Sequence, residues 1–299
     1  MTWGILTIVS AILLGVYDFL KKVSLKNNTV LPVLLISTAS GALVFVPFVL
    51  VSRISPHLLE NTFAFVPPMP LKAHLMFMLK SVIVGSSWVF NYFAIKHLPL
   101  TVAGPIRSSG PLWTLAGALL IFGEVLTPIQ WIGLAVTLAF YYLFSLSGAK
   151  EGISFRTNKW VFFLTIGTVI GSISSLYDKY LVSHYDKMAM QAWYLIYMVP
   201  LMALIVLIFW YPQRHKFEKF IWRNTIPLIG ICLAFADFLY FWALSKPDGL
   251  IALVSTLRRG SVVVSFAMGA IIFREKNIAR KGLILIGILV GIGLILMGK

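Results

Sequence analysis

Ten apolar stretches fill almost the whole chain and leave little choice about what it folds into. They cover residues 2–20, 30–51, 74–96, 100–122, 127–147, 159–180, 189–210, 224–245, 249–273 and 278–298. Each holds about 19–25 residues, enough for a helix to cross the hydrocarbon core of a bilayer with some tilt. The expected fold class is an all-α membrane protein with ten transmembrane helices. Charge content agrees: 12% of the 299 residues are charged, about half of what covers a soluble surface.

The net charge of +15 would also suit nucleic acid. Most Lys and Arg, however, lie in short loops between the apolar stretches, where they set orientation and meet anionic lipid. The expected partners are the bilayer and a small molecule, with no nucleic acid. A lone Cys232 rules out a disulfide within the chain and a Cys-based metal site. The N-terminus lacks a basic n-region and a clear small-residue cleavage site, so residues 2–20 read as a retained first helix. The link 52–73 carries Pro56, Pro67, Pro68 and Pro70 and has room for a short interfacial helix.

The chain also repeats itself. Tyr17-Asp18 near the end of the first stretch matches Tyr177-Asp178 in the sixth, and Tyr92-Phe93 resembles Tyr240-Phe241. Arg107 matches Arg258 at an offset of 151 residues, and Glu124 matches Glu275 at the same offset. Two halves, about 1–148 and 158–299, fit these matches. Five helices per half is an odd number, so the second half enters the membrane upside down. Inverted repeats of this kind bind their substrate near mid-membrane, where the halves meet.

Polar groups inside the apolar stretches are few, and each needs a reason. Arg258 and Arg259 stand side by side in the ninth, followed by Gly260 and Ser261. One Arg at the bilayer centre costs about 2.5–3.5 kcal/mol on insertion scales, so two adjacent ones need a counter-charge or a wet cavity. The fourth stretch is broken by Pro105 and Pro111, with Gly104 and Gly110 beside them and Arg107, Ser108 and Ser109 between. Irregular backbone at that depth is tolerated only where it is buried in protein or lines water. Asp237 in the eighth stretch reads as the counter-ion of Arg258 or Arg259, or as a titrating carboxylate for proton coupling. Asn91 and Lys80 fall in the third, with Lys80 expected to snorkel from a helix end. Tyr92 and Tyr240 are candidates for the pathway wall. The expected substrate site is therefore Arg258, Arg259, Arg107, Tyr240, Tyr92, Asn91, Ser108 and Ser261, with Asp237 as coupling group or counter-ion. Gly167-x-x-x-Gly171 and Gly287-x-x-x-Gly291 read as small-residue contact faces. The second of these suits a dimer as well, so monomer and homodimer both stay open.

Ten helices in two five-helix halves, with Gly123-Glu124 and Arg274-Glu275 closing the fourth and ninth, resemble the EamA branch of the drug/metabolite transporter superfamily. The run Ala94-Ile95-Lys96-His97-Leu98-Pro99-Leu100 into the fourth helix carries the same likeness. The resemblance covers the whole chain. It implies a substrate cavity between the halves, alternating access and, from the short chain, a bacterial inner membrane. Within that superfamily, Leu257-Arg258-Arg259-Gly260-Ser261 followed by three Val looks like the ninth-helix basic pair of plastid triose-phosphate translocators and their nucleotide-sugar relatives. In those proteins the pair, with a basic residue on the fourth helix, holds phosphate. Arg258, Arg259 and Arg107 match those positions, with Arg at the first place where the translocators usually carry Lys. The positive-inside count puts both termini outside, whereas the family usually keeps them in the cytoplasm, so orientation stays open.

These readings converge on a secondary transporter for a small organic anion, phosphorylated metabolites included. The alternative is an exporter of amino acids or other zwitterions, with Arg on the carboxylate and Asp237 or a Tyr on the amine. Neither a cofactor nor an enzyme is expected. The sequence has no HExxH, GxSxG or CxxC motif, and its five His fall in loops or near helix ends.

Overall fold

The computed structural model of the chain describes residues 2–97, 106–107, 109–146, 158–216, 218–261, 263–264, 268 and 278–298. All the regular structure among them is helical. In chain order the helices are α1 (Thr2–Leu25), α2 (Val30–Ile54), α3 (Leu71–His97), α4 (Gly110–Phe122), α5 (Pro128–Leu146), α6 (Lys159–His184), α7 (Lys187–Ile205), α8 (Thr225–Leu244), α9 (Ile251–Arg258) and α10 (Ile278–Met297). By length and composition six described segments are able to cross a membrane: Thr2–Leu25, Val30–Ile54, Leu71–Asn91, Lys159–His184, Lys187–Lys216 and Thr225–Leu244. Gly110–Phe122, Pro128–Leu143 and Leu283–Met297 are shorter apolar helices. Much of the fourth and ninth apolar stretches lies outside the described residues.

Local chemistry sets the ends. The side chain of Asn158 accepts from Trp160 N at the start of α6, and Asp186 accepts from Met188 N and Ala189 N at the start of α7. These satisfy backbone donors that a helix cannot pair by itself. Pro111 opens α4, where its missing N–H has no helical partner to lose, and Gly123 closes that helix at a φ of 59°, a left-handed position that suits glycine. The link 52–73 holds only a 3₁₀ turn, Pro56–Leu58, rather than an interfacial helix. Three prolines close together deny it helical donors. The link is instead strapped to α2: Val66 N donates to Ser52 Oγ at 3.0 Å, and Arg53 Nη1 donates to Val66 O at 3.1 Å.

The two halves are interleaved. α1 packs on α8 and α9, and the matching helices α6 and α3, α6 and α4 pack likewise. α2 lies against α8 and α7, as α7 lies against α3 and α2, while α5 pairs with α10. Each of these contacts has its counterpart when the halves are exchanged. Leu120, Val125, Ile54 and Leu283 are among the large apolar side chains that face outward, while Tyr194, Tyr240 and Phe241 are buried. That outer face suits lipid. α2 and α8 touch backbone to backbone at Gly41 and Gly230, where neither helix has room for a side chain. Gly287 meets the Phe140 ring, and Gly291 meets Thr137 and Gly133, all on α5. The glycine face of α10 is thus packed against α5 of its own chain.

Candidate functional site

The chain encloses a cavity of about 330 Å³, walled by α1, α3, α4, α6, α7, α8 and α9. Five cationic side chains line it, Lys21, Lys80, Arg107, Arg258 and Arg259, against three carboxylates, Asp18, Asp178 and Asp237. Three ion pairs use up all the acids: Lys21–Asp18 at 2.9 Å, Lys80–Asp178 and Arg258–Asp237. Among the described residues no carboxylate is paired with Arg107 or Arg259.

The paired charges form one connected group. Tyr194 on α7 donates to Asp237 Oδ2 at 2.7 Å, while Arg258 donates to Oδ1 of the same carboxylate. Arg258 also donates through Nε to Ser10 Oγ at 3.2 Å, and its guanidinium lies 4.2 Å from the centre of the Tyr240 ring. Lys80 sits 4.5 Å from the ring centre of Tyr194 and 4.8 Å from that of Phe241. The Lys80 and Asp178 side chains are only 3% and 8% exposed, so they depend on each other for solvation. Arg258 and Asp237, at 19% and 12%, keep some access to the cavity.

The unpaired charges differ. Arg259 follows the last residue of α9, where the helix ends in a turn, and its side chain is exposed although it stands between helices. Arg259 lines the cavity. Its guanidinium rests against Gly110, where a Cβ would come within 3.0 Å of Nη2. The glycine beside the proline break in α4 therefore makes room for an arginine from the other half. Arg107 lies just upstream on the same broken segment. Arg107, Arg259 and Asp18 are within electrostatic reach of one another. Two guanidinium groups thus share a cavity with fewer carboxylates than cations, an arrangement that favours an incoming anion.

At one end the two halves are tied together. Glu124, just after α4, accepts from Ile251 N at 2.6 Å and from Ala252 N at 3.1 Å, capping α9 from the other half. α9 has no side-chain cap of its own. Lys179 donates to Gly249 O at 2.7 Å and Leu244 O at 3.2 Å, fixing the link between α8 and α9. Leu126, Leu253, Leu257 and Ile295 pack together beside it.

Of the residues expected at the site, Arg258, Arg259, Arg107, Tyr240, Asn91, Ser261 and Asp237 line the cavity. Ser108 and the side chain of Tyr92 lie outside the described residues. Asp237 holds Arg258 rather than Arg259. Lys80 does not snorkel: α3 begins at Leu71, which places Lys80 about 14 Å along the helix, and it pairs inward with Asp178. Sequence reasoning missed Asp18, Lys21, Asp178 and Tyr194 as cavity residues. A signal was present for two of them, since the repeated Tyr-Asp pair that marks the halves puts both aspartates on the wall. Tyr194, one of three aromatic residues in an apolar helix, gave none.

Residues 1–146 match the EamA-like transporter family, a family of membrane transporters and not of enzymes. No curated protein matches the sequence. A solved crystal structure superposes with a TM-score of 0.71 at 18% identity, covering 99% of this chain and 96% of its own. At that identity the likeness speaks for the fold alone.

Proposed function

We infer, for a chain whose residues 1–146 belong to the EamA-like transporter family, that the molecule it carries is a small organic anion, phosphorylated metabolites included. The observation that carries this is the pair Arg107 and Arg259, facing one cavity with no carboxylate of their own among the described residues. Arg offers planar, two-pronged contacts that fit carboxylate and phosphate oxygens. A bound anion supplies the missing charge and relieves the repulsion between the two guanidiniums. Arg258, stacked on Tyr240, completes the wall, and Asn91 and Ser261 add polar contacts; Ser108 and Tyr92 belong to the same proposed site.

Transport follows when the halves rock about the filled site. The cavity is built from both halves, and the contacts of Glu124 with the start of α9 are among those that this motion has to loosen. The described lining residues of the cavity all come from one copy. On the resemblance to bacterial EamA proteins we place the transporter in a bacterial inner membrane. A zwitterion is matched less well: the three carboxylates described in the cavity are each already paired with a cation, which leaves a tyrosine to take its ammonium.

Counter-flow in liposomes tests the reading. Vesicles with the purified protein are loaded in turn with sugar phosphates, dicarboxylates and amino acids, and uptake of the labelled compound is followed. An organic anion is expected to exchange in the wild type and not in Arg259→Ala or Arg107→Ala. Exchange of amino acids alone, or of anions equally by all three proteins, removes the proposal.

A further inference from the structure

We propose that Asp178 is a proton-binding site on the cavity wall, and that the proton it takes up strengthens anion binding. The coupling rests on the anion reading above; the proton site does not.

The three cavity carboxylates are held differently. Asp18 is paired with Lys21 and lies in the field of Arg107 and Arg259. Asp237 has both oxygens occupied, Oδ1 by Arg258 and Oδ2 by Tyr194. Asp178 accepts from Lys80 at Oδ1 only, and its Oδ2 has no hydrogen-bond partner among the described residues. That oxygen is not among the sealed, partnerless buried atoms, and the residue lines the cavity. Asp178 thus offers a carboxylate lone pair to the cavity. The groups facing it are Lys80 from α3, Tyr194 from α7, Asp237 and Tyr240 from α8 and Arg258 from α9, with Tyr177 beside it on α6.

The proton balance is simple. A proton from cavity water adds to Oδ2, no covalent bond other than O–H forms, and Lys80 keeps its hydrogen bond to the neutral acid. The cavity gains one positive charge. An anion at Arg107 and Arg259 then binds more tightly, and by linkage the bound anion makes the proton harder to lose. Proton and anion move together, as a symport.

Sulfate is the probe, because its charge stays constant over the working pH range while that of phosphate does not. Infrared difference spectra of the full chain in lipid nanodiscs are recorded as the pH is lowered, with sulfate and without, alongside sulfate affinity from thermal shift. A protonated-carboxyl band is expected to grow on acidification, to persist in Asp237→Asn and to be absent in Asp178→Asn. Sulfate affinity in the wild type is expected to rise about tenfold on acidification, within the usual range of coupling between two sites, and to stay flat in Asp178→Asn. If that variant does not fold, Asp178→Glu, which keeps the acid, is expected to shift the band. A band unchanged by both Asp178 substitutions, or no band at all, overturns the proton site while leaving anion binding standing. A band that depends on Asp178, with no sulfate binding in any form, keeps the proton site and overturns the anion reading.

Discussion

Two groups of charges share one cavity and live by different rules. Lys80, Asp178, Asp237 and Arg258 form a balanced quartet, with two cations, two carboxylates and a tyrosine hydroxyl on the remaining oxygen of Asp237. Arg107 and Arg259, on the other side, have no dedicated partners among the described residues and face open space. A buried pair costs desolvation and regains it only through its partner. The quartet therefore belongs to the empty protein. The unpaired arginines bring repulsion that the empty protein must tolerate, which makes sense for groups whose partner arrives from outside. Both kinds come from helices of both halves, so moving the halves changes each.

The contrast can be broken at its strongest point first. Lys80→Met leaves the largely buried Asp178 without its paired cation and is expected to lower stability by about 3–5 kcal/mol, read as a shift in the thermal unfolding of detergent-solubilised protein. Adding Asp178→Leu should recover most of that loss, because removing both charges removes the desolvation cost as well. A double variant as unstable as the single one would mean that the quartet does more than cancel charge. Next in size, Glu124→Ala leaves two backbone N–H groups at the start of α9 without their cap and is expected to cost about 2 kcal/mol. Because α9 carries Arg258 at its other end, this change should also weaken anion binding, which a thermal-shift titration with sulfate would read. Unchanged binding would show that the end of α9 is positioned without Glu124.

Sequence alone carried the outline well, because hydrocarbon thickness demands long apolar runs and the chain has little else. The polar centre was legible where a residue was expensive enough to stand out. Arg258 and Arg259 in an apolar stretch, and Arg107 between two prolines, could hardly be missed. The pairing was not legible. Lys80 and Asp178 are 98 residues apart, and nothing in either neighbourhood names the other. Lys80 was misread because its distance from a helix end depends on where α3 begins, and a few extra residues at Leu71 turn a snorkelling position into a buried one. Asp18 and Asp178 were seen as markers of the repeat but not as cavity groups, since a matched position shows symmetry and not which way a side chain points. Gly110 stood out only as a neighbour of Pro111 in the broken stretch, whereas its close approach to Arg259 needs coordinates from both halves.

The smallest expected change in stability gives the sharpest test. Thermal unfolding of Arg259→Ala is compared with wild type, each with and without sulfate. Relief of repulsion predicts a variant at least as stable as the empty wild type and no longer stabilised by the anion. A variant that unfolds markedly earlier yet still gains the full stabilisation from sulfate would mean that Arg259 holds the fold and that the anion binds elsewhere.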